Sequence, residues 1–179
     1  GVGCPTNLIK FQLSLLKIKM SQQLLVIGGG AAGFFCAINA ARMNPQLQVT
    51  VLEKSSKLLS KVKVSGGGRC NTTHACFDIV EMSKKYPRGG NFVKKTFHQF
   101  FTTDTIQWFK ERGVKLKAEE DGRMFPVTDS SQTIIDCLMT EANKYGVKIL
   151  LNAEVRSLLA VDGVFKLKLS DSRPDSYRE

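Results

Sequence analysis

The chain has 179 residues and an ordinary soluble composition, 42% hydrophobic and 23% charged with 15 glycines and 5 prolines, enough for one sizeable core or one domain with part of another. No apolar run reaches the roughly 18 residues of a membrane helix, so no membrane partner is expected. The formal charge of +10 comes from 26 basic and 16 acidic side chains, but Lys54, Lys57, Lys61, Lys63, Lys84, Lys85, Lys94 and Lys95 are spread along the chain, which favours solvated faces and an anionic cofactor over a nucleic-acid groove.

Cys4, Cys36, Cys70, Cys76 and Cys137 form no C-x-x-C pair, and His74 and His98 lack neighbouring ligands. Reduced thiols in a cytoplasmic protein are expected, with no metal site. Residues 1–19 have a short apolar stretch but no basic start and no small-residue cleavage site. They read as a leader or appended segment outside the fold, with Met20 as the initiator and the folded domain over 20–170.

Leu24–Ile27 is a short apolar run, as in a central parallel strand covered on both faces. Gly28, Gly30 and Gly33 then give G-x-G-x-x-G. Ala31–Met43 has Phe34, Ala37, Ile38 and Ala41 at helical spacing, places Cys36 in core packing, and stops at Asn44-Pro45. Gln48–Glu53 is a second strand ending in an acid. This strand, glycine turn, helix and strand form a dinucleotide-binding βαβ unit. Gly28 permits the tight turn, Gly30 admits a pyrophosphate to the backbone, and Gly33 lets helix and strand pack closely. The helix start at Ala31 and Ala32 offers N–H groups and a positive dipole end to phosphates. Glu53 accepts hydrogen bonds from ribose hydroxyls.

Lys54–Ser65 is basic, irregular at first and then extended through Lys61–Ser65. Ser65, Gly66, Gly67, Gly68, Arg69, Cys70 and Asn71 form a second glycine cluster, whose flexibility suits close backbone approach to a ligand. Arg69 can neutralise phosphate or a reduced cofactor, or form a surface ion pair. Cys70 fits as a small residue packed beside glycines, and His74 as an exposed loop residue. Asn91 caps a helix over Phe92–Phe101, and a second helix spans about Asp104–Arg112, ending at Gly113. Phe97, Phe100, Phe101, Trp108 and Phe109 read as core. Val114–Lys117 and Arg123–Phe125 flank a hairpin turn at Asp121-Gly122. Asp129–Gln132 opens a helix from about Ser130 to Tyr145, followed by an apolar strand at Val147–Leu151. Glu154–Val161 and Val164–Leu169 flank a second hairpin at Asp162-Gly163, and the last nine residues form a ragged polar end.

The class is therefore α/β, a Rossmann-like domain with a parallel sheet, a βαβ unit and β-hairpin additions. The first element does not separate FAD from NAD, since both present an ADP half. GGGAAG, VLEKSSKLLSKVKVSGGGRCNTTH, YPRGGNF and DGRMFPVTDSSQTIIDCL together resemble the bacterial aminoacetone-oxidase or BaiN/YhiN-type flavoproteins, over roughly Gln22–Leu169. The resemblance implies FAD as cofactor, NAD(P)H as electron donor, and a small organic acceptor or oxygen as substrate. A basic nucleic-acid-associated flavoprotein is a competing reading, but the aromatics cluster in helices and do not interleave with Lys/Arg on strands, so no nucleic-acid partner is expected. It implies a cofactor-binding set of Gly28, Gly30, Ala31, Ala32, Gly33, Glu53, Lys54, Lys61, Ser65, Gly66, Gly67, Gly68, Arg69, Cys70, Asn71 and Val155. Ser60 departs from the family, standing where many members have arginine. Members are longer, so residues 171–179 would lie where an inserted domain begins, the chain would be a truncated FAD-binding portion, and it would hold FAD weakly alone. A NAD-dependent dehydrogenase and a catalytically inactive dinucleotide-binding fragment are the competing expectations.

Overall fold

The computed structural model describes residues 22–162 and 164–170; the expected leader and the ragged end lie outside the described residues. In chain order the elements are β1 (Gln23–Ile27), α1 (Ala31–Met43), β2 (Gln48–Leu52), α2 (Ser60–Gly68), β3 (Thr73–His74), α3 (Ile79–Lys84), α4 (Gly90–Phe97), α5 (Thr102–Lys110), β4 (Leu116–Ala118), β5 (Arg123–Pro126), α6 (Ser131–Lys144), β6 (Lys148–Leu150), β7 (Val155–Val161) and β8 (Val164–Leu169).

β1, α1 and β2 are the expected βαβ unit, with Gln23 opposite Gln48 and Ile27 opposite Leu52 in parallel register. Alanine is the best helix former, and Phe34, Ala37, Ile38 and Ala41 give α1 one buried stripe. Its end is fixed where the Asn44 N–H reaches the Ala40 carbonyl, one residue before a proline. β6 returns from far along the chain and adds to β2, also in parallel, so the sheet order is β1-β2-β6. β1 is thus an edge strand among the described residues, with Leu25 and Ile27 exposed. The expectation of a strand covered on both faces is not met here.

The core lies between this sheet, α1 and α6. Val49 and Val51 of β2 meet Phe34 and Ile38 of α1, Ile134 and Leu138 of α6, and Trp108 and Phe109 of α5. Phe109, Phe101 and Trp108 are buried as expected, whereas Phe100 stays partly exposed. Cys36 is exposed, a correction to its expected core position, because it falls beside and not within the buried stripe of α1. Cys137 is buried, and that burial pushes its thiol up to about 11.

The hairpin at Asp121-Gly122 forms, with β5 between β3 and β4 in an antiparallel sheet. β7 and β8 form the second hairpin. Lys61–Ser65 is not extended: α2 begins at Ser60, because Leu59 takes a left-handed conformation, anchors its N–H on the Gly29 carbonyl at 2.9 Å, and leaves Val62 buried. α4 is shorter than expected and is capped by Gly89, not Asn91, since the N–H groups of Phe92 and Val93 both reach the Gly89 carbonyl. α5 starts at Thr102, with the Asp104 carboxylate accepting the Phe101 N–H at 2.7 Å. α3 was not anticipated, although Asp78 caps it by accepting the Glu81 N–H at 2.8 Å.

One buried ion pair ties α5 to α6. Arg112 donates to Glu141 at 2.7 Å and to the Trp108 carbonyl at 2.8 Å, with its guanidinium 3.7 Å over the Trp108 ring. The two side chains keep only 11% and 8% exposure. Arg112→Ala leaves Glu141 buried without its main partner and is expected to cost about 3 kcal/mol. Urea unfolding checks this, and the double change Arg112→Met with Glu141→Leu should recover most of the loss.

Candidate functional site

The first glycine turn does what its spacing requires. Gly28 has a φ of +107° and donates its N–H to the Leu52 carbonyl at 2.8 Å. A Cβ on Gly33 would lie 1.9 Å from the Gly28 carbonyl oxygen, so α1 can pack on the turn only with glycine there. Gly30 is the N-cap of α1 and offers no side chain to its first N–H groups. Nothing lies within 4 Å of where its Cβ would be. Open backbone at the start of a 13-residue helix, with Ala31 and Ala32 exposed beside it, leaves the orphan N–H groups facing space that fits an anion.

Glu53 is clamped, not merely nearby. One carboxylate oxygen accepts the Gly29 N–H at 2.8 Å; the other accepts the Ser55 N–H at 2.9 Å and the Ser55 hydroxyl at 2.8 Å. Burial pushes the carboxyl up, but the donors of Ser55 and Gly29, aided by Lys54, outweigh it and hold Glu53 below its ordinary value of 4.5. The carboxylate is therefore ionised and oriented, with lone pairs left for further donors. The Glu53 carbonyl accepts the Ala153 N–H at 2.8 Å, which brings the chain leading into Val155 alongside it.

The second glycine cluster breaks α2. Ser65 is extended, and Gly66 and Gly67 take left-handed conformations with φ of +57° and +68°. Gly66 is hemmed in: a Cβ would meet the Phe125 ring at 2.7 Å and the Asn71 nitrogen at 2.9 Å. Gly67 and Gly68 instead face open space. Cys70 is buried with a positive φ of +64°, packed beside the glycines as expected. Arg69 turns toward the β4–β5 hairpin. It pairs with Glu119, lies 3.8 Å from Asp129, and stacks 4.1 Å from the centre of the Phe125 ring. The Glu119 carboxylate strengthens its hold on the proton. The structure thus gives Arg69 the ion-pair role, in which it braces the loop.

The two glycine clusters meet in one cleft of about 520 Å³. Ala31 and Ala32 come from the first cluster, Lys61 from α2, and Ser65, Cys70 and Asn71 from the second. Phe35, Phe109, Ile134 and Leu138 give it an apolar floor, and Phe100 stands at its side. Of the expected cofactor-binding set, Gly28, Gly30, Gly33, Glu53, Lys54, Gly66, Gly67, Gly68, Arg69 and Val155 are not among the residues lining this cleft. Sequence reading missed Gly29, whose N–H and carbonyl are both used, and Ser55, whose N–H and hydroxyl both donate to Glu53. His74 is only part-exposed, with its Nε2 3.1 Å from the Asp121 carbonyl and its ring against Gly122. Among the described residues no group of three or more His, Cys, Asp or Glu can hold a metal ion.

Comparison with known proteins agrees with this geometry. The family model described as "HI0933-like protein Rossmann domain" matches residues 22–176. The chain is 32% identical over 144 residues to a Haemophilus influenzae protein named ribosomal RNA dihydrouridine synthase, covering 80% of this chain and 34% of that protein. It is 31% identical over 133 residues to a Clostridium scindens protein named 3-dehydro-bile acid delta(4,6)-reductase, covering 74% of this chain and 32% of that one. The chain thus spans about a third of the length of these relatives. A flavocytochrome c3 fumarate reductase in its open conformation superposes with a TM-score of 0.59 at 23% identity, over 79% of this chain and 28% of that one, which shows the fold.

Two outcomes follow from the turn. Gly33→Ala should destabilise the protein by about 3 kcal/mol, because the obstacle is backbone that cannot step aside; thermal or urea unfolding measures it. Glu53 has a lowered folded value, so its stabilisation is present above the ordinary 4.5 and is lost as pH falls through the folded value. The stability gap between the protein and Glu53→Gln should therefore be full near neutrality and shrink on acidification, as read by urea midpoints across that range.

Proposed function

We infer the chemistry from one premise: this chain belongs to the HI0933-like protein Rossmann-domain family, a family of FAD-binding oxidoreductases. The chain is the FAD-binding portion of a flavoprotein that takes hydride from NAD(P)H and passes it to an organic acceptor or to oxygen. The observation that carries this reading is the convergence of both glycine clusters on one cleft, with an ionised acid fixed behind the first turn.

The residues divide the work by chemistry. The N–H groups at Gly30, Ala31 and Ala32 hold the pyrophosphate, and Glu53 accepts from the ribose of the ADP half. Lys54 and Lys61 add positive charge on either side of the turn. Ser65–Asn71 approaches the cofactor through open backbone at Gly67 and Gly68, while Arg69 keeps that loop braced on Glu119. Val155 offers its backbone to the adenine. FAD, when bound, supplies two-electron hydride acceptance and delivery, and the protein supplies position, charge and exclusion of water. No side-chain nucleophile is involved. Dihydrouridine formation and delta(4,6) reduction both add hydrogen across a ring carbon–carbon double bond. The acceptor class assigned here is such a bond, activated by a conjugated carbonyl. The uncommitted thiols fit a reducing, cytoplasmic setting.

The 179-residue chain should bind ADP and FAD by calorimetric titration, weakly and with similar affinity, since its contacts are to the ADP half. Gly30→Val, which fills the open backbone, should lower both affinities at least about tenfold. In a protein carrying this domain at the relatives' full length, flavin absorbance that is bleached by NADH or NADPH supports the assignment; absence of flavin bands would defeat it and leave a nicotinamide dehydrogenase or an inactive nucleotide-binding fragment.

A further inference from the structure

Phe77, Val80, Tyr86, Phe92 and Phe100 all stand exposed within one stretch of chain. From Phe77 to Phe100 that stretch also holds five lysines and arginines against two acids, a net charge of +3. It folds mainly as α3, a connection and α4, and the two helices pack on each other. A Cβ on Gly90, at the start of α4, would lie only 3.1 Å from the Ser83 carbonyl oxygen of α3. α4 buries none of its residues, so the pair lies on the outside of the domain. It is attached through stacked rings, Tyr86 against Phe97 at 5.7 Å and Phe97 against the buried Phe101 at 5.1 Å. The Thr102 hydroxyl adds a bond to the Cys76 carbonyl at 2.9 Å, just before Phe77.

Each helix carries the same mixture of apolar and cationic side chains. On α3, Val80 and Lys84 are one turn apart and both exposed, and Phe77, 61% exposed, stands just ahead of them. On α4, Phe92 is 76% exposed and shares its stripe with the exposed Lys95. Lys85 and Arg88 flank Tyr86 in the connection and are exposed. Glu81 pairs with Lys84 at 2.6 Å, and Asp78 accepts the Glu81 N–H as the cap of α3. Lys85, Arg88, Lys94 and Lys95 have no ion-pair partner among the described residues.

This mixture decides the kind of partner. The core of a protein–protein interface is rich in aromatics but poor in lysine, whereas here cations flank both Tyr86 and Phe92. A nucleic-acid face is not served by Val80 between Asp78 and Glu81. An anionic lipid surface takes both components at once. Aromatic and aliphatic side chains enter the boundary between headgroups and acyl chains, while lysine and arginine reach back to the phosphates.

We propose that the α3–α4 surface, centred on Phe77, Phe92, Lys85, Arg88 and Lys95, docks the protein on an anionic phospholipid membrane. The docking is peripheral, since no helix among the described residues is long and apolar enough to cross a membrane. It revises the expectation of no membrane partner, which weighed only a spanning helix. The proposal stands on the residues of this surface and does not depend on the cofactor reading.

The test is flotation of the 179-residue chain with phosphatidylcholine vesicles, with and without phosphatidylglycerol, at low and at high salt. The chain should float with the anionic vesicles only, and salt should release it by screening the cations. Phe92→Ser should weaken vesicle binding about tenfold, and Lys85→Ala with Arg88→Ala about thirtyfold. Phe92→Trp should keep the binding, and its emission should move to the blue on anionic vesicles as the ring leaves water. These positions are exposed, and circular dichroism checks that the variants fold. Equal binding by the Phe92→Ser and the double alanine variants would overturn the proposal, as would equal binding to neutral vesicles. Failure to float with anionic vesicles overturns it outright. Self-association abolished by Phe92→Ser would then assign the surface to a second copy of the chain, and salt-sensitive binding of an oligonucleotide would assign it to nucleic acid.

Discussion

The peptide at Gly29 is held from both sides, and the site depends on that hold. Its N–H is accepted by the Glu53 carboxylate, and its carbonyl accepts the N–H of Leu59. A side chain at this position would strike Leu58 at 2.7 Å and the Cβ of Glu53 at 3.1 Å. One residue thus joins the glycine turn, the end of β2 and the start of α2. The acid that marks the end of the second strand therefore has a structural role before any ligand arrives. Charge-assisted hydrogen bonds are the stronger kind, and three of them converge on this carboxylate. They fix its orientation, so hydroxyl donors meet a preorganised acceptor.

The second glycine cluster is held differently. Its backbone conformation is strained for any residue but glycine at Gly66 and Gly67, and Cys70 adds a left-handed non-glycine position. Such a loop persists only if its surroundings over-determine it. Here they do: Phe125 fills the space under Gly66, Arg69 lies across the same ring, and Glu119 anchors the guanidinium. Cys70 returns its N–H to the Ser65 carbonyl at 3.0 Å, closing the loop on itself. The small β3-β5-β4 sheet is therefore a support for this loop. That explains why a hairpin with little core of its own belongs to the domain.

The βαβ unit was legible because its signals agree: alanine-rich helical periodicity, a proline stop, and glycines whose spacing has a steric cause. The cofactor cleft was half legible. Ser65–Asn71 stood out by composition, but its meeting with Ala31 and Ala32 is a tertiary fact. Lys61–Val64 was misread because K-V-K-V alternates with the period of a strand; the Leu59 anchor on Gly29, thirty residues away in sequence, overrides that period. The role of Ser55, and the choice between a phosphate contact and an ion pair for Arg69, depend on partners that only folding supplies. Cys36 shows the limit of helical spacing, where one position off the stripe changes core to surface.

The net charge takes on meaning only after the acids are placed. Glu119, Asp121 and Asp129 engage Arg69, Lys117 and Arg123 around the β4–β5 hairpin. Glu141 engages Arg112 and Lys144, and Glu53 is committed to backbone donors. Exposed pairs of this kind contribute little stability one by one, but they locally neutralise the cations they meet. At physiological ionic strength a charge is felt over only about 8 Å, so acids held in distant pairs do not offset cations elsewhere. The segment from Met82 to Thr103, which contains no acid, keeps its positive field. The positive excess is therefore carried by cations that these acids do not meet, Lys57, Lys61 and Lys63 before the second glycine cluster as well as Lys94 and Lys95 of α4.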